Sequence, residues 1–401
     1  MAQIQTPSSQ QLITMSNKIC LVSNTSWSFL RFRTDVIRSL VTAGHEVLLL
    51  APPDEHTEQL AGLGARVILL KSLSRKGLNP IKDLMLYREF MHIYQEERPD
   101  LVFQYTIKPN IYSTLAARRY RIPTIAVITG LGYAFISKGL VTFMAKQLYR
   151  LALQRAKSVW FLNNDDFQFF VTRSLVDRNK AQQIPGEGIN CYDTFNPELI
   201  ADADRSVSTV KFLFIGRLLY DKGVAEYVAA ARRIKKAYPN AVFWIMGYLN
   251  VDNPTAVQQA QLDEWVSEGT ITYLGALDDV RPTIAACDCV VLPSYREGMS
   301  TTLQESAAMG KPLIASNIAG CKELVDEGVN GFLCQVANVD SLVSCMERIR
   351  SMSPTERQLM GLNGREKMVK EYSVDRVIKI YHETIADVTR QQKDNKIKQI
   401  S

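Results

Sequence analysis

Short runs of β-branched and apolar residues alternate with longer amphipathic stretches along almost the whole chain, and the alternation stops once and restarts. In the first half, strands are expected at 18–23, 45–50, 65–70, 101–105, 124–128 and 158–162, with helices at 30–42, 80–97, 110–120, 139–156 and 165–175. Strand–helix alternation of this kind specifies a parallel sheet covered on both faces. The period breaks between Ile184 and Ser208, where Pro185-Gly-Glu-Gly188 and Asn196-Pro197 interrupt it, and then resumes with strands at 211–216, 241–246, 271–274, 289–292 and 312–315. The chain therefore reads as α/β: two doubly wound, Rossmann-like domains facing a central cleft. The expected division is a flexible N-terminus at 1–17, a first domain at 18–190, a linker at 191–208, a second domain at 209–375, and a C-terminal helix and tail at 376–401, frayed from Gln391. Open α/β sheets bind ligands at the carboxyl ends of their strands, so function belongs in the cleft.

Composition excludes several classes. The hydrophobic content of 46% supports a large core in each domain, and 21 Gly with 15 Pro in 401 residues are too few for a low-complexity chain. Neither a spanning helix nor a signal peptide is expected. The seven cysteines are scattered and sit mostly in apolar runs, as reduced core residues of a cytoplasmic protein do. Residues 1–200 carry 23 Lys and Arg against 16 Asp and Glu, whereas residues 201–401 carry 24 against 25. The basic excess lies wholly in the first half and suits a phosphorylated substrate, an anionic membrane or nucleic acid. Nucleic acid is disfavoured because no recognised nucleic-acid motif accompanies the charge.

Neither domain has a G-x-G-x-x-G or P-loop fingerprint, and the four histidines form no visible triad. The segment from Pro293 to Glu305 is more informative. It follows a buried strand, carries two carboxylates, Glu297 and Glu305, and offers capping boxes at Thr301/Gln304 and Thr302/Glu305. A helix beginning near Ser300 would present free amides to an anion, and Gly298 would let backbone approach a ligand. The loop Gly216-Arg-Leu-Leu-Tyr-Asp-Lys-Gly223 directly follows the first strand of the second domain, which places Arg217 and Lys222 at the cleft, where two cations can hold a diphosphate. A capped loop and a solvated charged loop are the plain alternatives.

The ordered set Gly216-Arg217, Lys222-Gly223, Tyr273-Leu-Gly, Glu297-Gly-Met-Ser, Glu305, Ala308-Met-Gly-Lys-Pro, Ala319-Gly, Glu323-Leu-Val and Gly328-Val-Asn-Gly-Phe332 resembles the retaining glycosyltransferase family 4, which has the GT-B fold. In the first half, Ala43-Gly-His-Glu-Val47, Arg98-Pro-Asp-Leu-Val102 and Ile122-Pro-Thr124 match it more loosely. The resemblance implies that Glu305 binds the nucleotide ribose and that Glu297 orients the donor sugar. It implies that Arg217 and Lys222 hold the diphosphate with Gly216, Gly298 and the amides of Met299, Ser300 and Thr301, and that the loop after Tyr273 carries the base. Asn24, Lys108, Asn110, Thr129, Gly130 and Gly132 lie in segments similar to a subgroup of bacterial transferases that extend undecaprenyl-diphosphate-linked sugars, and are the expected acceptor residues. Ile128–Phe135 lacks the histidine many members carry there.

The implied reaction moves a sugar, an N-acetylhexosamine in that subgroup, from a nucleotide-sugar donor with UDP the expected nucleotide. The acceptor is a glycan or a polyprenyl-diphosphate-linked sugar, and the setting is cell-surface polysaccharide synthesis. No cofactor and no metal are expected. Asp202-x-Asp204 has metal-binding spacing but falls in the linker. A sugar-nucleotide epimerase and a non-catalytic nucleotide-sugar-binding subunit are the alternatives. The stretch 138–157 has five cations and no acid, so a peripheral contact with an anionic membrane on the inner face of the cell is expected through it, against a plain core-helix reading.

Overall fold

The computed structural model describes residues 16–74, 79–130, 140–200, 209–249 and 252–400. Its first sheet has seven parallel strands: β1 (Lys18–Val22), β2 (Glu46–Ala51), β3 (Arg66–Leu69), β4 (Leu101–Tyr105), β5 (Thr124–Ile128), β6 (Ser158–Phe161) and β7 (Ala181–Gln183), in the order β3-β2-β1-β4-β5-β6-β7. The second has six: β8 (Lys211–Ile215), β9 (Val242–Met246), β10 (Thr272–Tyr273), β11 (Cys289–Leu292), β12 (Leu313–Ser316) and β13 (Gly331–Cys334), in the order β10-β9-β8-β11-β12-β13. Outward from the first strand, the two sheets have the same order, that of a dinucleotide-binding fold. In each, the order reverses between the first and fourth strands, and the loops leaving those two strands diverge to open a crevice. The strands read as unbroken apolar runs because both faces are covered, with Val22, Leu50 and Val102 on one side and Leu21, Leu49 and Phe103 on the other.

Several elements depart from the sequence expectation. The helix expected at 30–42 is two helices, Trp27–Phe32 and Thr34–Thr42, broken at Arg33, whose φ is −133°. The chain leaves the first domain just after β7, and Cys191 and Phe195 are already buried in the second domain's core, so the crossing precedes the expected 191–208 linker. There the crossing strand pairs with the returning chain through Ile189 N to Tyr372 O, 2.9 Å, and Val374 N to Ile189 O, 2.9 Å. The last helix, Val374–Ile400, continues past Gln391, where fraying was expected, and packs on the first domain. Its Tyr381 ring lies 4.6 Å from Phe103 and 5.0 Å from Trp160, so both ends of the chain build one core.

All seven cysteines are buried and unbonded. Among the described residues no helix is long and apolar enough to cross a membrane. The helix Leu140–Leu153 buries Tyr149, Ala152 and Leu153, while Phe143, Met144 and Leu151 face outward. Phe143, Met144 and Leu151 share the outer surface with Arg150.

Candidate active site

The two crevices face each other across a cleft of about 990 Å³. On the second domain, Gly216 and Arg217 follow β8, and Glu297 to Thr302 follow β11. Arg217 is exposed, and among the described residues its side chain has no hydrogen-bond or ion-pair partner. Lys222 Nζ instead meets Glu297 Oε1 at 2.6 Å, and Ser294 Oγ holds the same oxygen at 2.8 Å. The two groups expected to serve diphosphate and sugar are thus paired with one another here. A diphosphate entering beside Arg217 would compete with Glu297 for the lysine.

The helix Thr301–Ala308 begins as anticipated but is capped differently. Ser300 is the N-cap, its side chain accepting from Leu303 N, and neither threonine forms the expected box. The Ser300 amide also donates to Gly320 O at 2.9 Å, so it is spent within the domain, and the open donors of this turn are the Met299, Thr301 and Thr302 amides. Glu305, one turn in, is buried and ion-paired with Arg31 of the first domain. Burial pushes its carboxyl upward and the guanidinium pulls it back, with burial the stronger. Gly298 is required by close approach: a Cβ there would lie 2.0 Å from Thr129 O. Asn163 Nδ2 donates to Gly298 O at 2.6 Å, closing this corner of the cleft.

The acceptor residues expected from the sequence divide. Asn24 and Thr129 line the cleft, and Gly130 touches Gly298 beside it. Gly132 lies outside the described residues, as do Asp202 and Asp204. Lys108 and Asn110 do not line the cleft. Lys108 Nζ pairs with Asp83 Oδ1 at 2.8 Å, and the fully buried Asn110 donates to Val127 O at 2.9 Å, bracing a wide helical turn after β4. The loop after Tyr273 reaches the cleft through Ala276 to Val280.

Sequence reasoning missed Arg31, Arg33 and Glu187. Arg33 is buried against the Tyr105 ring, with its guanidinium carbon 3.5 Å from the centroid, and is ion-paired to Glu187 on the interdomain crossing. Burial drives the Glu187 carboxyl upward, opposed by Arg33. The available signal was positional: Arg31 and Arg33 follow the first strand of their domain, much as Arg217 and Lys222 follow β8. Among the described residues no cluster of three or more His, Cys, Asp or Glu side chains suits a metal ion.

Residues 209–351 match the family described as glycosyl transferases group 1, and residues 18–163 the family described as glycosyl transferase 4-like. The chain is 29% identical over 358 residues to the N,N'-diacetylbacillosaminyl-diphospho-undecaprenol alpha-1,3-N-acetylgalactosaminyltransferase of Campylobacter jejuni, covering 86% of this chain and 92% of the relative. It is 28% identical over 326 residues to the UDP-Gal:alpha-D-GlcNAc-diphosphoundecaprenol alpha-1,3-galactosyltransferase of Escherichia coli, covering 79% and 82%. A glycosyltransferase from Rickettsia africae superposes with a TM-score of 0.77 at 18% identity, over 93% of this chain and 98% of the other, so the fold is GT-B.

Proposed function

We propose that this chain, a glycosyltransferase built of a 4-like and a group 1 domain, moves a sugar of the N-acetylhexosamine class from a UDP-linked donor to a polyprenyl-diphosphate-linked sugar, retaining the donor's anomeric configuration. The observation carrying this reading is the crevice between β8 and β11, where Arg217, Lys222 and the open amides of Met299, Thr301 and Thr302 surround a space suited to a diphosphate. The lipid-diphosphate acceptors in the names of the two relatives support the choice of acceptor.

On this reading Glu305 exchanges Arg31 for the ribose hydroxyls, and Glu297 exchanges Lys222 for hydroxyls of the donor sugar. The acceptor oxygen then attacks the anomeric carbon from the face that the diphosphate leaves. The new C–O bond forms as the bond to the β-phosphate breaks, and the acceptor proton passes to a phosphate oxygen of the departing UDP. Arg217 and Lys222 stabilise the charge that gathers there, the kind of preorganised electrostatic support that usually dominates catalysis. Glu297 positions the sugar and forms no covalent intermediate, in contrast to the two-carboxylate retaining glycosidases.

No metal is needed, because two cations and the helix amides supply the charge compensation. The enzyme works at the inner membrane face without spanning it, with the outward Phe143, Met144 and Leu151 beside Arg150 making contact with anionic lipid.

The deciding experiment incubates the protein with UDP-N-acetylgalactosamine, UDP-galactose or UDP-N-acetylglucosamine and a short-chain polyprenyl-diphosphate-linked sugar. Transfer with retention, undiminished by excess chelator, is expected. Inversion, no transfer, or a strict divalent-ion requirement would contradict the corresponding element. Anionic liposomes should sediment the protein and 0.5 M salt should release most of it, since the Debye length there is about 4 Å. Arg150→Glu with Phe143→Ser should abolish sedimentation. Lys157 is a poorer test than its charge suggested, because its Nζ meets Gln391 Oε1 of the last helix at 2.6 Å.

A further inference from the structure

Five non-glycine residues among those described have a positive φ: Arg98, Thr106, Arg121, Ser174 and Ala337. Arg98, Arg121 and Ser174 lie in turns that end helices, where such a conformation is ordinary, and Ala337 lies in the turn between β13 and the helix Val339–Ser351. Thr106 is different. It is β-branched, its φ is +71°, and it lines the cleft immediately after β4. A branched Cβ in the left-handed region is held there only when surrounding structure imposes it, and such residues gather at functional sites. Its hydroxyl is also buried without a hydrogen-bond partner among the described residues. Buried hydroxyls are normally satisfied, and this orphan, closed off as it stands, gains a partner if the side chain turns toward the cleft that the residue lines.

Its place in the fold says which partner. β4 and β1 flank the point where the strand order of the first sheet reverses, and Ser23, Asn24 and Thr25 leave β1 on the other side of the same crevice. Arg31 and His56 line the same side of the cleft, Arg31 ion-paired to Glu305, and the uncharged side chains beside them, Asn24 and Thr106 among them, can pair with sugar hydroxyls. The equivalent crevice of the second domain carries Arg217 and Lys222, so the anionic donor has its own place opposite. The backbone is fixed from below, with Asn110 N donating to Thr106 O at 3.0 Å and Tyr105 OH bonded to Tyr381 OH at 2.7 Å.

We propose that Thr106 is an acceptor-binding residue, held in a strained conformation so that its hydroxyl hydrogen-bonds a hydroxyl of the acceptor sugar. This assignment rests on the transferase reading above and adds a specific group on the acceptor side. Thr106→Gly removes the strain and the hydroxyl together, whereas Thr106→Ser keeps the hydroxyl.

The test measures thermal stability, UDP affinity by calorimetry, and acceptor KM and kcat with a short-chain polyprenyl-diphosphate-linked N-acetylhexosamine. Thr106→Gly should melt no lower than wild type, bind UDP within twofold, and show an acceptor KM raised at least tenfold. Thr106→Ser should stay within threefold of wild type in acceptor KM. Normal acceptor kinetics in Thr106→Gly, or an equal defect in Thr106→Ser, would overturn the assignment while leaving the transferase reading intact. Wild type that binds UDP but accepts no lipid-linked sugar would overturn both.

Discussion

The two domains share a strand order but equip their crevices with different chemistry. Behind β8 and β11 stand exposed or partly exposed charges, Arg217 and the Lys222–Glu297 pair. Behind β1 and β4 the cleft is lined by Asn24, Thr25 and Thr106 together with His56 and Arg31, whose charge is met by Glu305, while the Arg33–Glu187 pair lies buried beneath. One fold thus presents a polyanion site and a polyol site face to face, and function is set by a few residues at strand ends rather than by topology. The first domain is also completed by the end of the chain, since Val377, Tyr381, Ile385 and Val388 of the last helix belong to its core. The second closes on local sequence.

The largest way to break this contrast is to unbalance the buried pair beneath the polar crevice. Arg33→Ala leaves Glu187 buried without its partner and should cost about 3–5 kcal/mol of stability, read by denaturant unfolding. Arg217→Ala, on the exposed side, should leave the unfolding midpoint near wild type. If the two variants are equally stable, the buried pair contributes nothing to stability.

A second test probes the corner where the domains touch. Burial pushes the Asp166 carboxyl up to about 6 from its ordinary 3.8, and Asn163, which bonds Asp166 Oδ2, also holds Gly298. Between those values the folded protein keeps a proton that the unfolded chain releases. This contribution to stability is therefore complete below about pH 4 and is lost as pH rises through about 6, an effect of up to about 3 kcal/mol at 1.4 kcal/mol per unit. Asp166→Asn should flatten the unfolding free energy across that window. An unchanged pH slope would show that Asp166 titrates normally.

Smaller effects sharpen the roles within the charged crevice. Glu305→Gln should raise donor KM and weaken UDP binding by about 1.5 kcal/mol, because the ribose loses a charged acceptor. Glu297→Gln should lower kcat with little change in UDP affinity, since UDP lacks the sugar. Equal losses of UDP affinity would refute that division.

The charged crevice was the more legible one in the sequence. Arg217, Lys222, Glu297 and Glu305 lie on two short segments next to apolar strands, so local pattern located them. The long, periodic elements were readable for the same reason. What escaped depends on distant partners. Arg33 reads as a surface cation until Glu187, far along the chain, meets it in the core, and Glu305 reads as a capping residue until Arg31 claims it. Ser300 displaced both threonine caps because its backbone is extended and pinned to Gly320. The strands Ala181–Gln183 and Gly331–Cys334 are short edges, and the first is too polar to show an apolar run. The strain at Thr106 has no sequence signal, since threonine is an ordinary residue at a strand end.

The claim that donor and acceptor occupy opposite crevices is tested most directly by calorimetric titration of UDP into wild type, Arg217→Ala and Asn24→Ala. The account predicts at least tenfold weaker binding, about 1.4 kcal/mol, for Arg217→Ala and affinity within twofold of wild type for Asn24→Ala. A loss confined to Asn24→Ala would place the nucleotide in the first domain, and equal losses in both would make it span the two crevices; either result contradicts the account.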